Sequence, residues 1–107
     1  MEIVNLTPHI INVRDQTGKE CSVVEPSGTV ARVDVTVEPV GSIEEVILYR
    51  NRLEEVTGLP ESKDGTFYIV SMVVRLSLPL RRDVLSPGQL LRDDEGRPVG
   101  CLGLVQN

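Results

Sequence analysis

Aromatic residues are almost missing from this 107-residue chain, which has one Phe, two Tyr and no Trp. Its core must therefore be built from Val, Leu and Ile, without the large rings that usually dominate small interiors. Lysine is nearly absent, at Lys19 and Lys63 only, so nine of the eleven basic residues are Arg. Arginine reads phosphate or carboxylate with a planar two-point fork, although it serves equally in surface ion pairs. There is one histidine, His9, so any histidine-based metal site or catalytic pair has to run through it. The two cysteines, Cys21 and Cys101, belong to no CxxC or Cys/His cluster, which excludes a zinc spacing. No signal-peptide pattern is present, so a reducing compartment and two free, packed thiols are expected. No apolar run approaches the ~20 residues of a membrane span. The P-loop, GxSxG and HExxH patterns are all absent, and no cofactor or metal is expected.

What is present is an ordinary globular balance, 40% hydrophobic and 25% charged. That composition and length fit one domain over residues 1–107 and argue against disorder. The formal charge of −5 repels phosphate backbones and anionic bilayers, so neither nucleic acid nor membrane is an expected partner.

Short apolar stretches alternate with turn residues along the chain. Met1–Leu6 reads as a strand interrupted by Thr7-Pro8, and His9–Arg14 resumes with His9, Ile11 and Val13 on one face. Asp15–Lys19 is turn chemistry, and Glu20–Glu25 is the return strand. Thr29–Glu38 has the clearest alternation, Ala31, Val33, Val35 and Val37 against Arg32, Asp34, Thr36 and Glu38. That pattern predicts a half-buried antiparallel strand ended by Pro39 and Gly41. Ile43–Val56 fits either a helix capped by Ser42 and Glu45 or a strand, and strand is preferred. Thr66–Val70 reads as a central strand, and Ser71 caps a short helix over 71–78. Pro87-Gly88 reads as a turn, and Leu90–Arg92 with Val99–Val105 as a terminal hairpin. The expected fold is mainly β, or α+β: a small antiparallel, barrel-like sheet of about seven short strands with one helix.

Few residues could carry chemistry. His9 could be structural, a ligand contact, or an acid–base group given a carboxylate to orient it. Ser71 and the following N–H groups could meet an anion or serve as a plain cap. Arg81-Arg82-Asp83, in an irregular segment, could read phosphate or form a solvated loop, and Arg32 could do so or pair across strands. Arg75 falls on the helix with Met72 and Leu76.

The ordered set Asn5-Leu6-Thr7-Pro8-His9, Pro26–Val33, Gly58-Leu59-Pro60, Tyr68–Ser71, Arg82-Asp83-Val84, Ser86-Pro87-Gly88 and Arg92–Arg97 spans nearly the whole chain. It resembles a group of small bacteriophage and prophage proteins, most without an assigned function. The resemblance implies a viral accessory protein in the host bacterial cytoplasm. Phage proteins of this size include inhibitors of host defence, some of which sequester nucleotide-derived signals of Thoeris or cyclic-oligonucleotide pathways. The expectation is thus a non-catalytic sponge for a nucleotide-like ligand, with Asn5, Thr7, His9, Arg32, Ser71, Arg75, Arg81, Arg82 and Asp83 around it. A domain this small has little interior for such a ligand, so a homo-oligomer with sites between subunits is expected. The alternatives are a structural or protein-interaction role, and an enzyme degrading the signal with His9 paired to Asp83 or a glutamate.

Overall fold

The computed structural model describes residues 1–107. It contains β1 (Glu2–Asn5), β2 (Ile11–Arg14), β3 (Glu20–Val24), β4 (Arg32–Ile43), β5 (Val46–Thr57), β6 (Thr66–Ile69), α1 (Met72–Leu76), β7 (Val84–Arg92) and β8 (Pro98–Gln106). Six strands form one sheet in the order β1-β6-β7-β8-β2-β3. A bridge from Asn5 to Pro26 brings the end of β3 back to β1, so the sheet nearly closes into a barrel. The mainly β, barrel-like architecture with one short helix is therefore as the sequence reading has it. No helix is long and apolar enough to cross a membrane.

The pairing corrects that reading in one respect. β7–β8 and β2–β3 are antiparallel, but β1–β6, β6–β7 and β2–β8 are parallel. Hairpins alone give antiparallel neighbours, whereas a parallel neighbour needs a longer return path. Helix α1 provides that path between β6 and β7, and β4–β5 lies in the path between β3 and β6.

The main buried cluster is Leu6, Ala31, Tyr68, Val70, Val74 and Val84, with Val4, Val33, Val56, Leu59 and Leu78 packed on it. It joins β1, β6, α1 and β7 to the roots of β4 and β5. Ser71 caps α1 as its sequence position implies, its hydroxyl accepting from the Val74 N–H at 3.3 Å.

β4 and β5 are paired only with each other. They form a two-stranded arm, and the molecule measures 51 × 39 × 22 Å with a radius of gyration of 16.7 Å, against about 13 Å for a compact chain near this length. Strand rather than helix holds for 43–56, but not as one strand: Ile43 ends β4, Glu44 and Glu45 form the turn, and β5 begins at Val46. Two other expectations do not hold. Val35 and Val37 are exposed rather than half-buried, at 45% and 59%, because nothing in the chain covers that face. Pro39 and Gly41 do not end β4; they flank a bulge at Val40 through which the strand continues. Proline is tolerated there because each arm strand has one open edge.

Pro87-Gly88 is likewise inside β7 rather than a turn. Beyond Leu85 that strand pairs only with β8, so one side of its backbone needs no donors. Both thiols are free; Cys101 is packed, but Cys21 is exposed, which corrects the expectation of two packed cysteines.

Candidate functional site

The N-terminal motif is a structural latch. The Asn5 side chain, 1% exposed, donates to the carbonyls of His9 at 2.7 Å and Val24 at 3.0 Å. Its Oδ1 accepts from the Thr7 N–H at 2.9 Å and the Thr7 hydroxyl at 2.7 Å. This network holds the turn at Thr7-Pro8 and ties β1 to β3. Asn5 and Thr7 are thereby removed from the expected ligand set, since every hydrogen-bonding group they could offer is buried and used.

Ser71 and Arg75 are also occupied. Ser71 caps α1. Arg75 Nε donates to Ser86 Oγ at 2.7 Å, and its Nη1 donates to Asn107 Oδ1 at 3.0 Å. Asn107 Nδ2 in turn donates to the carbonyls of Arg75 and Leu78. Arg75 therefore fastens α1 to β7 and the last residue. Arg32 is exposed at the root of the arm, on β4 rather than near the other candidates.

Arg81, Arg82 and Asp83 do converge. They line an open cleft of about 510 Å³ together with Lys63, Asp64 and Gln106. The parallel pairing of β6 with β7 explains the meeting. It sets the starts of both strands at one rim, so the turn before β6 faces the segment before β7. Lys63, Asp64 and Gln106 were not singled out from sequence. The available signal was that Lys63 is one of only two lysines and lies in a Gly-ended turn; its neighbours across the sheet were not legible.

Within the cleft, Arg81 is already gripped. Its Nε and Nη2 donate to the two Asp83 oxygens at 2.9 and 2.6 Å, and Nη2 also donates to the Pro60 carbonyl at 3.2 Å. The Arg82 carbonyl accepts from Gln106 Nε2 at 2.7 Å, and the Asp83 carbonyl accepts from the Tyr68 N–H at 2.8 Å. The segment is thus stitched on both sides while the Arg82 and Lys63 side chains stay exposed and free of ion pairs. The lining carries three cations and two carboxylates, a local positive excess in a chain of net charge −5.

The hydrogen bonds from Arg81 hold the Asp83 carboxyl below the usual carboxylate range, against the opposing effect of burial. A depressed carboxyl stabilises the fold above its unfolded pKa, about 3.9, and that stabilisation is lost as pH falls through the lower folded value. Asp83→Asn is therefore less stable than the parent near neutrality. The gap between their urea midpoints closes as pH falls below about 4. A gap that stays constant across that range would separate Asp83 from the acid limb.

His9 lines a different, mainly apolar groove of about 500 Å³ walled by the start of β2, by β7 and by β8, with Ile10, Leu90, Val99 and Cys101 among its residues. No acidic residue lines that groove, and Asp83 is in the other cleft. The pairing of His9 with Asp83 or a glutamate that the enzyme alternative calls for is not formed in this groove. Comparison of the chain with protein-family models, with curated proteins and with solved structures finds no match in any of the three.

Proposed function

We propose that this chain is a non-catalytic binding protein that sequesters a phosphate-bearing, nucleotide-like ligand in the cleft between Lys63 and Arg82. The phage resemblance of its motifs makes a host defence signal the natural ligand, held in the bacterial cytoplasm. The observation that carries the reading is the convergence of two unpaired cations, one a fork and one a point charge, in an acidic chain. Phe67 and Leu80 line the same cleft and supply apolar surface for a base. Asp83 is committed to Arg81, and the two free cations suit holding a phosphate-bearing ligand. An open trough leaves one side of the ligand wet, so a neighbouring subunit that covers it completes the reading.

Calorimetric titration with nucleoside diphosphates and cyclic oligonucleotides tests this. At least one class should bind, more weakly as salt rises, and be recovered unchanged. Arg82→Ala should weaken it by about 10- to 100-fold, the worth of a charge-assisted contact. Equal affinity in Arg82→Ala, or no binding by any of these ligands, would overturn the reading, and loss of the ligand on incubation would turn it into an enzyme's. One observation favours a protein-interaction role instead, the uncovered apolar arm.

A further inference from the structure

We infer that the β4–β5 arm is a self-association surface, packing face to face and antiparallel against the arm of a second copy about a twofold axis. The inference deepens the homo-oligomer part of the reading above; it rests on the arm and not on the cleft.

The ladder sets opposite Val35, Val37 and Pro39 the residues Leu53, Asn51 and Tyr49. Directly paired residues project to the same side of a sheet, so these six share one face. The other face carries the pairs Thr36–Arg52 and Glu38–Arg50. There Thr36 Oγ1 bonds to Glu54, and Arg52 forms an ion pair with it. Beyond the bulge this face turns apolar, with Gly41–Leu48 and Ile43–Val46, but over the stretch opposite the six it is suited to water. The first is not, with Val37 and Tyr49 about 60% exposed. Yet it begins inside the protein, because Val33 and Val56 at its root pack on the core. A two-stranded ribbon is at best marginal in water on its own, so the cover for this face comes from another chain.

The edges of the arm are poor docking sites. Pro39 lacks a donor, and bulges interrupt the ladder between Val33 and Val35 and between Pro39 and Gly41. Such features discourage strand addition. The face remains, and it is complementary to itself. Asn51 is the only polar member of the six and lies midway between Leu53 and Tyr49. A twofold axis at that level brings Val35 and Leu53 against the partner's Pro39 and Tyr49, and Asn51 against its own copy. An amide both donates and accepts, so two of them pair reciprocally. The same rotation carries the turn residues Glu44 and Glu45 toward the root of the other arm, where Arg32 is exposed without an ion pair. Arms about 40 Å long bury on the order of 500–700 Å² per copy on one face, near the ~800 Å² of a standard interface.

Sedimentation velocity of the full chain tests this. The parent should run as an assembly with an even number of 11.8 kDa copies. Val37→Lys, which sets like charges against each other near the axis, should run as a monomer with an unchanged circular dichroism spectrum. Thr36→Lys, on the opposite face, should leave the assembly intact. A second variant guards against misfolding: Asn51→Cys in a Cys21→Ser background should form a disulfide-linked dimer on mild oxidation, and Thr36→Cys should not. A monomeric parent at millimolar concentration, an assembly that survives Val37→Lys, or cross-linking through Thr36→Cys rather than Asn51→Cys would overturn the inference. Particle mass does not depend on Arg82, so a failure of the cleft reading and a failure of this one are seen separately.

Discussion

Asn5→Ala lowers the stability of the fold by about 3 kcal/mol, because each buried group left without its partner costs about 1–3 kcal/mol. The variant strands the carbonyl of Val24 and the N–H of Thr7, and leaves the His9 carbonyl only the longer bond from the Thr7 hydroxyl at 3.2 Å. The side chain is 1% exposed, so water does not replace it without opening the latch. A domain of this size has about 5–15 kcal/mol in total, and the expected fall in Tm is roughly 12–20 °C. Asn5→Asp should be no better, since a carboxylate cannot donate to either carbonyl and sets negative charge against both. Thermal and urea unfolding measure the effect. A loss under about 1 kcal/mol, the net worth of one ordinary hydrogen bond, would mean that the turn at Thr7-Pro8 is held by something else.

Gly58→Ala is the second large effect, expected at about 2–4 kcal/mol. Gly58 has φ +79°, and a Cβ there would overlap the carbonyl of Val30. That neighbour is backbone and cannot rotate away. Part of the cost is the left-handed conformation itself, about 1–2 kcal/mol for any other residue, and the rest is displacement of the chain at the root of the arm. Gly96→Ala separates the two parts. Its φ is +80° but nothing lies within 4 Å of the added carbon, so only the conformational cost applies. Equal losses of Tm in the two variants would show that the Val30 contact is relieved without cost.

The contrast between motif and site runs through the whole sequence. The strands were legible because alternation reports two faces, and the helix because Ser71 is a good cap ahead of apolar residues at helical spacing. Alternation does not report what covers a face, which is why Val35 and Val37 read as half-buried and are not. Pro39 and Pro87 read as strand ends because the open edges that tolerate them depend on distant neighbours. The same limit governs the site. Arg81, Arg82 and Asp83 stand together in sequence, whereas Lys63 joins them along the candidate cleft only through the parallel alignment of β6 with β7. Asn5 and Thr7 look like exposed polar candidates until the fold buries them, and nothing local distinguishes a latch from a binding residue.

The roots of the arm adjoin, since Gly58 lies directly against Val30. To the barrel, the ribbon beyond Val33 and Val56, the last residues of the arm that pack on the core, is a detour that starts and finishes at one place. The length of the detour can therefore change without moving the barrel or the cleft, but only in a quantised way. Adding one residue to each strand would shift the far end by about 3.3 Å and swap the two faces beyond the insertion, while adding two would shift it by twice that and restore them. The arm is thus a ruler with a two-residue graduation, and length variants that keep its apolar side continuous must differ in reach by whole graduations.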